Sequence, residues 1–196
     1  MTREPYEKDG KKYEHITEVI DYFKPPHLIA WMIKNKDYEE IGEKAMEIGS
    51  RVDELCLEDW KSRHLGYQLL KEDSEQVRLA MSAWDKWKHD YNGIYMDIKA
   101  MQETVYYDEL GVAGTLDIRT SIAIIDIKVS KSIRHSNWIQ VGMYNRAHYL
   151  LKLYILRLSK ETGNYSFVEC PYEQDYLEKL FIGRLINYRY EKEGVA

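Results

Sequence analysis

The chain has 196 residues, 44% of them hydrophobic and 31% charged, with only 4 prolines and 11 glycines. Those values fit one globular domain burying roughly 70% of its unfolded surface, and they exclude a long disordered tract. The net charge of -5 excludes a protein that coats nucleic acid by bulk positive charge, so any such contact needs a local basic patch.

Residues 1–14 are polar and charged and read as a flexible tail. Ile16-Thr-Glu-Val-Ile20 starts the first ordered piece, and Pro25-Pro26 breaks the segment that runs on to Trp31. From Tyr38 to Trp60, Ile41, Ala45, Ile48, Val52 and Leu55 recur every three or four positions, which predicts an amphipathic helix. A second helix is expected from Ser74 to Tyr91, with Val77, Ala80, Met81, Trp84 and Trp87 on its inner side. Residues 101–107, 112–120 and 122–128 are short and rich in Val, Ile, Thr and Tyr, and read as three strands. Thr120-Ser121 is the turn between the last two. The helical period returns over 137–158. A fourth strand is expected at 165–170 and a final helix at 173–190. Cys56 and Cys170 are too few for a four-thiolate cluster and read as reduced thiols. No apolar run follows Met1, and Ile122–Ile125 and Tyr149–Leu156 are too short to cross a bilayer. No secretory signal or membrane partner is therefore expected, and a cytoplasmic location is.

Chemistry concentrates on the third strand. Asp126 and Lys128 are two residues apart and share one face of an otherwise apolar segment. An Asp-x-Lys pair can be a plain salt bridge at a strand end. Asp117, in Gly114-Thr-Leu-Asp117, changes that reading, because a hairpin about Thr120-Ser121 sets Asp117 nearly opposite Asp126. Facing carboxylates raise each other's pKa unless a cation sits between them. A hard divalent ion, Mg²⁺ or Mn²⁺, resolves the conflict, with Lys128 beside it. Gly114 removes bulk at the site, which would let a substrate backbone approach.

The series Glu103, Gly114-x-x-Asp117, Asp126-Ile-Lys128 and Gln140-x-x-x-Tyr144 resembles the PD-(D/E)xK nuclease superfamily, and the Gln-x-x-x-Tyr element is similar to its RecB-type and phage-type exonuclease branch. The segment from Ile16 to Trp31 is similar to the N-terminal signature of the phage-type members. The resemblance covers residues 15–190 and implies a mixed α/β fold. Its core is restriction-endonuclease-like, αβββαβ, with a mixed central sheet flanked by helices and an N-terminal helical elaboration, all in one domain. It implies that Asp117, Asp126 and the Ile127 backbone carbonyl bind metal, that Lys128 is the catalytic lysine, and that Gln140 and Tyr144 sit at the site. Glu103 is implied as an additional acid. Asp53, in Gly49-Ser-Arg-Val-Asp53, stands where the branch usually carries a histidine. Its oxygens suit Mg²⁺ or Mn²⁺, and the change can retune the metal, weaken catalysis or be an introduced substitution.

The implied activity is metal-dependent DNA exonuclease action in recombination, repair or phage DNA processing, in a prokaryotic or phage-infected cell. A flap-type endonuclease and a catalytically weak DNA-binding accessory module are the alternatives. Relatives that hold an iron–sulfur cluster use four cysteines, so none is expected here. Processive action would need a homo-oligomer or a partner helicase or annealing protein. After Lys128, the residues Lys131, Arg134 and His135 form a local basic segment for DNA phosphates. Trp138 is the tryptophan expected to contact DNA.

Overall fold

A computed structural model describes residues 4–62, 66–148 and 151–194. Its elements in chain order begin with strands β1 (Tyr6–Lys8) and β2 (Lys11–His15) and helices α1 (Ile16–Tyr22), α2 (Pro26–Lys34), α3 (Tyr38–Lys61), α4 (Glu75–Asp90) and α5 (Asn92–Met96). Strands β3 (Ile98–Tyr107), β4 (Val112–Thr120) and β5 (Ala123–Lys128) follow, then α6 (His135–Asn145), β6 (Lys152–Leu158), β7 (Tyr165–Glu169) and α7 (Gln174–Lys192). The chain is a mixed α/β fold. Its seven strands form one mixed sheet, antiparallel at β1–β2, β3–β4, β4–β5 and β6–β7, and parallel at β2–β4 and β5–β6. Among the described residues no helix is long and apolar enough to cross a membrane.

Two apolar clusters cover the sheet. Ile16, Val19 and Ile20 of α1, Val141 and Met143 of α6, and Leu177, Phe181 and Tyr188 of α7 pack together with Leu116 and Ile124. Val52 and Leu55 of α3 and Val77, Trp84 and Trp87 of α4 pack with Ile118, Ile125, Ile127 and Leu156. The sheet is thus the middle of three layers.

Two expectations are corrected. Residues 137–158 are not one helix: α6 stops at Asn145 and 152–158 is a strand. This strand, β6, pairs parallel with β5 from Ala123↔Lys152 to Lys128↔Arg157. A parallel strand covered on both faces reads as an unbroken apolar run, which periodicity cannot separate from a buried helix. The N-terminal segment is not a tail over its described part. β1 and β2 form a hairpin whose turn residues, Asp9 and Gly10, have φ of 53° and 76°. Asp-Gly suits that left-handed turn.

The hairpin has a consequence for β4. Strand β3 occupies one edge of β4 along its whole length. The other edge pairs with β5 at Ile118 and Arg119 and with β2 at Val112 and Ala113. Between those two pairings the edge is open, and Gly114, Thr115 and Asp117 line a cavity there.

Candidate active site

The cavity holds about 470 Å³. Its walls come from five places in the chain: Tyr6 of the hairpin, Thr17 and Asp21 of α1, Asp53 of α3, the open edge of β4 with the end of β5, and the Ser130–Tyr144 segment. The β4–β5 register pairs Ile118 with Ile125. One step further sets Asp117 against Asp126. Asp117 Oδ2 accepts from the Ile127 backbone N–H at 2.7 Å, and Asp117 Oδ1 lies 3.4 Å from Gln102 Nε2. In a strand, N–H and C=O of one residue point to the same edge, so the Ile127 carbonyl also faces the β4 side.

Asp126 is wholly buried, and Lys128 Nζ sits 2.6 Å from its Oδ2. That contact is an ion pair with poor hydrogen-bond direction, and neither Asp126 oxygen has a well-aligned donor. Lys128 keeps 21% exposure, so its head reaches the cavity while Asp126 stays behind it. Burial pushes Asp126 up to about 7, with Asp117 adding to the rise and Lys128 opposing it. Burial and the Asp117 charge push Asp53 up to about 8. Asp117 is raised as well, chiefly by burial. Burial alone would lower Lys128, but Asp126 and Asp117 outweigh it and raise its pKa. Three carboxyls and one ammonium therefore share a pocket with too little positive charge.

That imbalance, with Asp126 Oδ1 buried and without a partner and Oδ2 met only by Lys128, fits a cation. The donors are oxygens only, as a hard ion requires. Among the described residues, no three or more His, Cys, Asp or Glu side chains converge as a ready-made cage. An ion such as Mg²⁺ commonly takes one or two carboxylates and fills its remaining positions with water and phosphate.

The helix after β5 closes the far wall. Gln140 Nε2 donates to the Tyr144 hydroxyl at 2.9 Å, and both line the cavity. Burial raises the Tyr144 pKa well above its usual value, so it stays a phenol. Gly114 serves this ring: a Cβ there would lie 2.7 Å from Tyr144 Cε1 and 3.1 Å from Ile16 Cδ1. Its missing side chain makes room for protein, which corrects the expectation that it makes room for a substrate backbone.

Asp53, Asp117, Ile127, Lys128, Arg134, Gln140 and Tyr144 are thus brought to one cavity, with Asp126 directly behind Lys128. Four expected residues are not. Glu103 turns away and pairs with Arg119 at 2.5 Å; across from Asp117 stands Gln102 instead. Lys131 is exposed and pairs with Glu161 at 3.0 Å. His135 is exposed and lies against Tyr172. Trp138 is packed in the core, which corrects its assignment as a DNA contact.

Sequence reasoning missed Tyr6, the hydroxyls of Ser130, Ser132 and Ser136, and Gln102. The Asp9-Gly10 turn was the available signal for Tyr6. Gln102 has none, since its φ of 54° is a left-handed conformation inside a strand. Such a residue costs about 1–3 kcal/mol and clusters at functional sites. Gln102→Val should lower stability by a further ~1–3 kcal/mol, because a β-branched residue tolerates that φ worst, whereas Gln102→Gly should not. Thermal unfolding of the two variants checks this.

No family model matches the chain, and no curated protein does. Solved structures do match. A protein of Eubacterium rectale described as a candidate exonuclease superposes with a TM-score of 0.54 at 16% identity, over 74% of this chain and 65% of its own. An alkaline exonuclease from Laribacter hongkongensis superposes with a TM-score of 0.51 at 10% identity, over 92% of this chain and 88% of its own. The chain therefore shares the fold of these two proteins. The chain spans just under two thirds of the Eubacterium rectale protein.

Proposed function

We propose that the chain is a metal-dependent deoxyribonuclease acting on DNA ends. The observation that carries this reading is the Asp117, Asp126 and Lys128 group at an open cavity, with the Asp126 oxygens buried and lacking aligned donors. Asp117 and Asp126, with the Ile127 carbonyl and Asp53, would hold Mg²⁺ or Mn²⁺. When bound, the ion supplies Lewis-acid stabilisation of the phosphoryl oxygens and acidifies the attacking water.

The chain's own groups set the rest. Lys128 is held charged by two carboxylates, so it acts as a fixed positive charge toward the scissile phosphate or orients the water, and does not accept a proton. Arg134 and the hydroxyls of Ser130, Ser132 and Ser136 line the same wall and suit phosphate oxygens. Tyr144, kept protonated and oriented by Gln140, is a further donor at the far wall. Asp53 adds an oxygen donor in place of the branch's usual histidine. Recombination, repair or phage DNA processing are the settings this activity suits, alone or with an oligomeric or motor partner.

The test is incubation of the protein with end-labelled single- and double-stranded DNA and a closed circle, in Mg²⁺ or Mn²⁺. Stepwise shortening from ends with the circle intact supports the reading. Cutting of the circle makes the protein an endonuclease, and no cleavage with either ion overturns the proposal.

The carboxyl shifts give a second check. Asp53 and Asp126 have folded pKa values of about 8 and about 7, above the ordinary 3.8. Their contribution to stability is full below pH ~4 and is lost as pH rises through 7 and 8. The metal-free protein should therefore have a lower Tm at pH 8 than at pH 6. A divalent ion at a hundred times its Kd adds about 2.7 kcal/mol, which is roughly 5–10 °C for a chain of this size. That rise should be larger at pH 8, where the carboxyls no longer hold protons. An equal rise at both pH values, or none, would speak against a cation between these groups.

A further inference from the structure

We propose that His135, Tyr172 and Tyr176 form a stacking platform for the unpaired bases of a nucleic-acid strand held in the cleft, a proposal that rests on the nuclease reading. The three rings touch. His135 and Tyr172 have centroids 5.0 Å apart at 80°, and Tyr172 and Tyr176 lie 5.6 Å apart at 30°. His135 and Tyr176 are 6.3 Å apart. All three are exposed, Tyr172 at 37% and Tyr176 at 46%. Single aromatic side chains on a surface need no explanation, but three in mutual contact make a patch.

Its position says what the patch would meet. His135 stands between Arg134 and Ser136 in the chain, and both of those line the cavity. A strand with one phosphate beside Arg134 would place its neighbouring bases near these rings. Arg134 lines the cavity next to His135 and offers a phosphate its positive charge, while Lys131 is taken up by Glu161. Trp138, one turn further along α6, faces into the core and contributes nothing outside. Unpaired bases have free π-faces and paired, stacked ones do not. The expected ligand is therefore single-stranded, with little base preference.

Fluorescence anisotropy with labelled 20-nucleotide strands, in EDTA to prevent cleavage, tests the platform on the full chain. Tyr172→Ala and Tyr176→Ala should each weaken binding by roughly tenfold, equally for thymine and adenine strands. Tyr172→Phe and Tyr176→Phe should bind as the parent does. The parent should hold an abasic strand about as weakly as the double alanine variant does. Cleavage of a thymidine 5′-nitrophenyl phosphate in Mn²⁺, too short to reach the rings, should be unchanged in all four variants.

Undiminished strand binding by the double alanine variant would overturn the platform and leave the nuclease reading standing if the nitrophenyl ester is still cleaved. A parent that neither binds strands nor cleaves the ester would overturn both. Sedimentation showing a dimeric parent and a monomeric double variant would assign the patch to a second copy of this chain and overturn the proposal.

Discussion

Lys128→Ala should reduce DNA cleavage by roughly a hundred- to a thousandfold, the usual cost of removing one fixed charge from a reacting centre. The loss should fall on kcat more than on KM, because phosphate-binding groups such as Arg134 and the serine hydroxyls are untouched. Lys128→Arg should not restore the rate, since a planar fork cannot replace a compact ammonium placed 2.6 Å from Asp126. The fold should survive. Removing Lys128 leaves the buried Asp126 without its counter-charge, but Asp126 already titrates near 7 and can take up a proton instead. The stability penalty should therefore be small at pH 6 and should grow toward pH 8. Single-turnover cleavage and thermal unfolding at the two pH values separate these effects. A folded Lys128→Ala protein with more than a tenth of the parent rate would remove Lys128 from the proposed chemistry.

The parts of this site that could be read in advance are those governed by short-range register. Asp117 and Asp126 face each other because a two-residue turn, Ser121-Ile122, leaves little freedom in the pairing. It lies one residue later than the expected Thr120-Ser121, and the Ile118↔Ile125 register follows from the later position. Gln140 and Tyr144 share a helix face by spacing alone. Long-range pairing was less legible. The open edge of β4 exists because β2, almost a hundred residues earlier, pairs with Val112 and Ala113, and nothing local signals that. The resemblance points to Glu103 as an additional acid, but Glu103 pairs with Arg119, and Gln102, whose left-handed φ interrupts the regular alternation of the strand, meets Asp117. Trp138 misled for another reason. Helix α6 lies between the sheet and α7 and is buried from Trp138 to Asn145 except at Gln140, so it has no polar stripe from which an outward face could be read.

Asp59→Ala should destabilise the protein by about 3–5 kcal/mol, the typical loss when one partner of a buried ion pair is removed. Asp59 is 1% exposed, and its Oδ2 accepts from Trp84 Nε1 at 2.9 Å, Tyr95 OH at 2.8 Å and Lys88 Nζ at 2.8 Å. One carboxylate oxygen thus ties α3 to α4 and α5. Lys88 can turn to Asp85, 3.0 Å away, but the buried Trp84 indole N–H would lose the acceptor that Asp59 gives it. Asp59→Asn keeps an acceptor oxygen and should cost less, about 1–3 kcal/mol. Guanidinium unfolding measures both, and a cost under 1 kcal/mol for the alanine variant would show that the cluster is not a tie. The same helix carries Asp53, less than two turns before Asp59. A helix released from Trp84 and Tyr95 should hold Asp53 less firmly against Asp117. Asp59→Ala should therefore also blunt the Tm gain from a divalent ion at pH 8, although Asp59 lies outside the cavity.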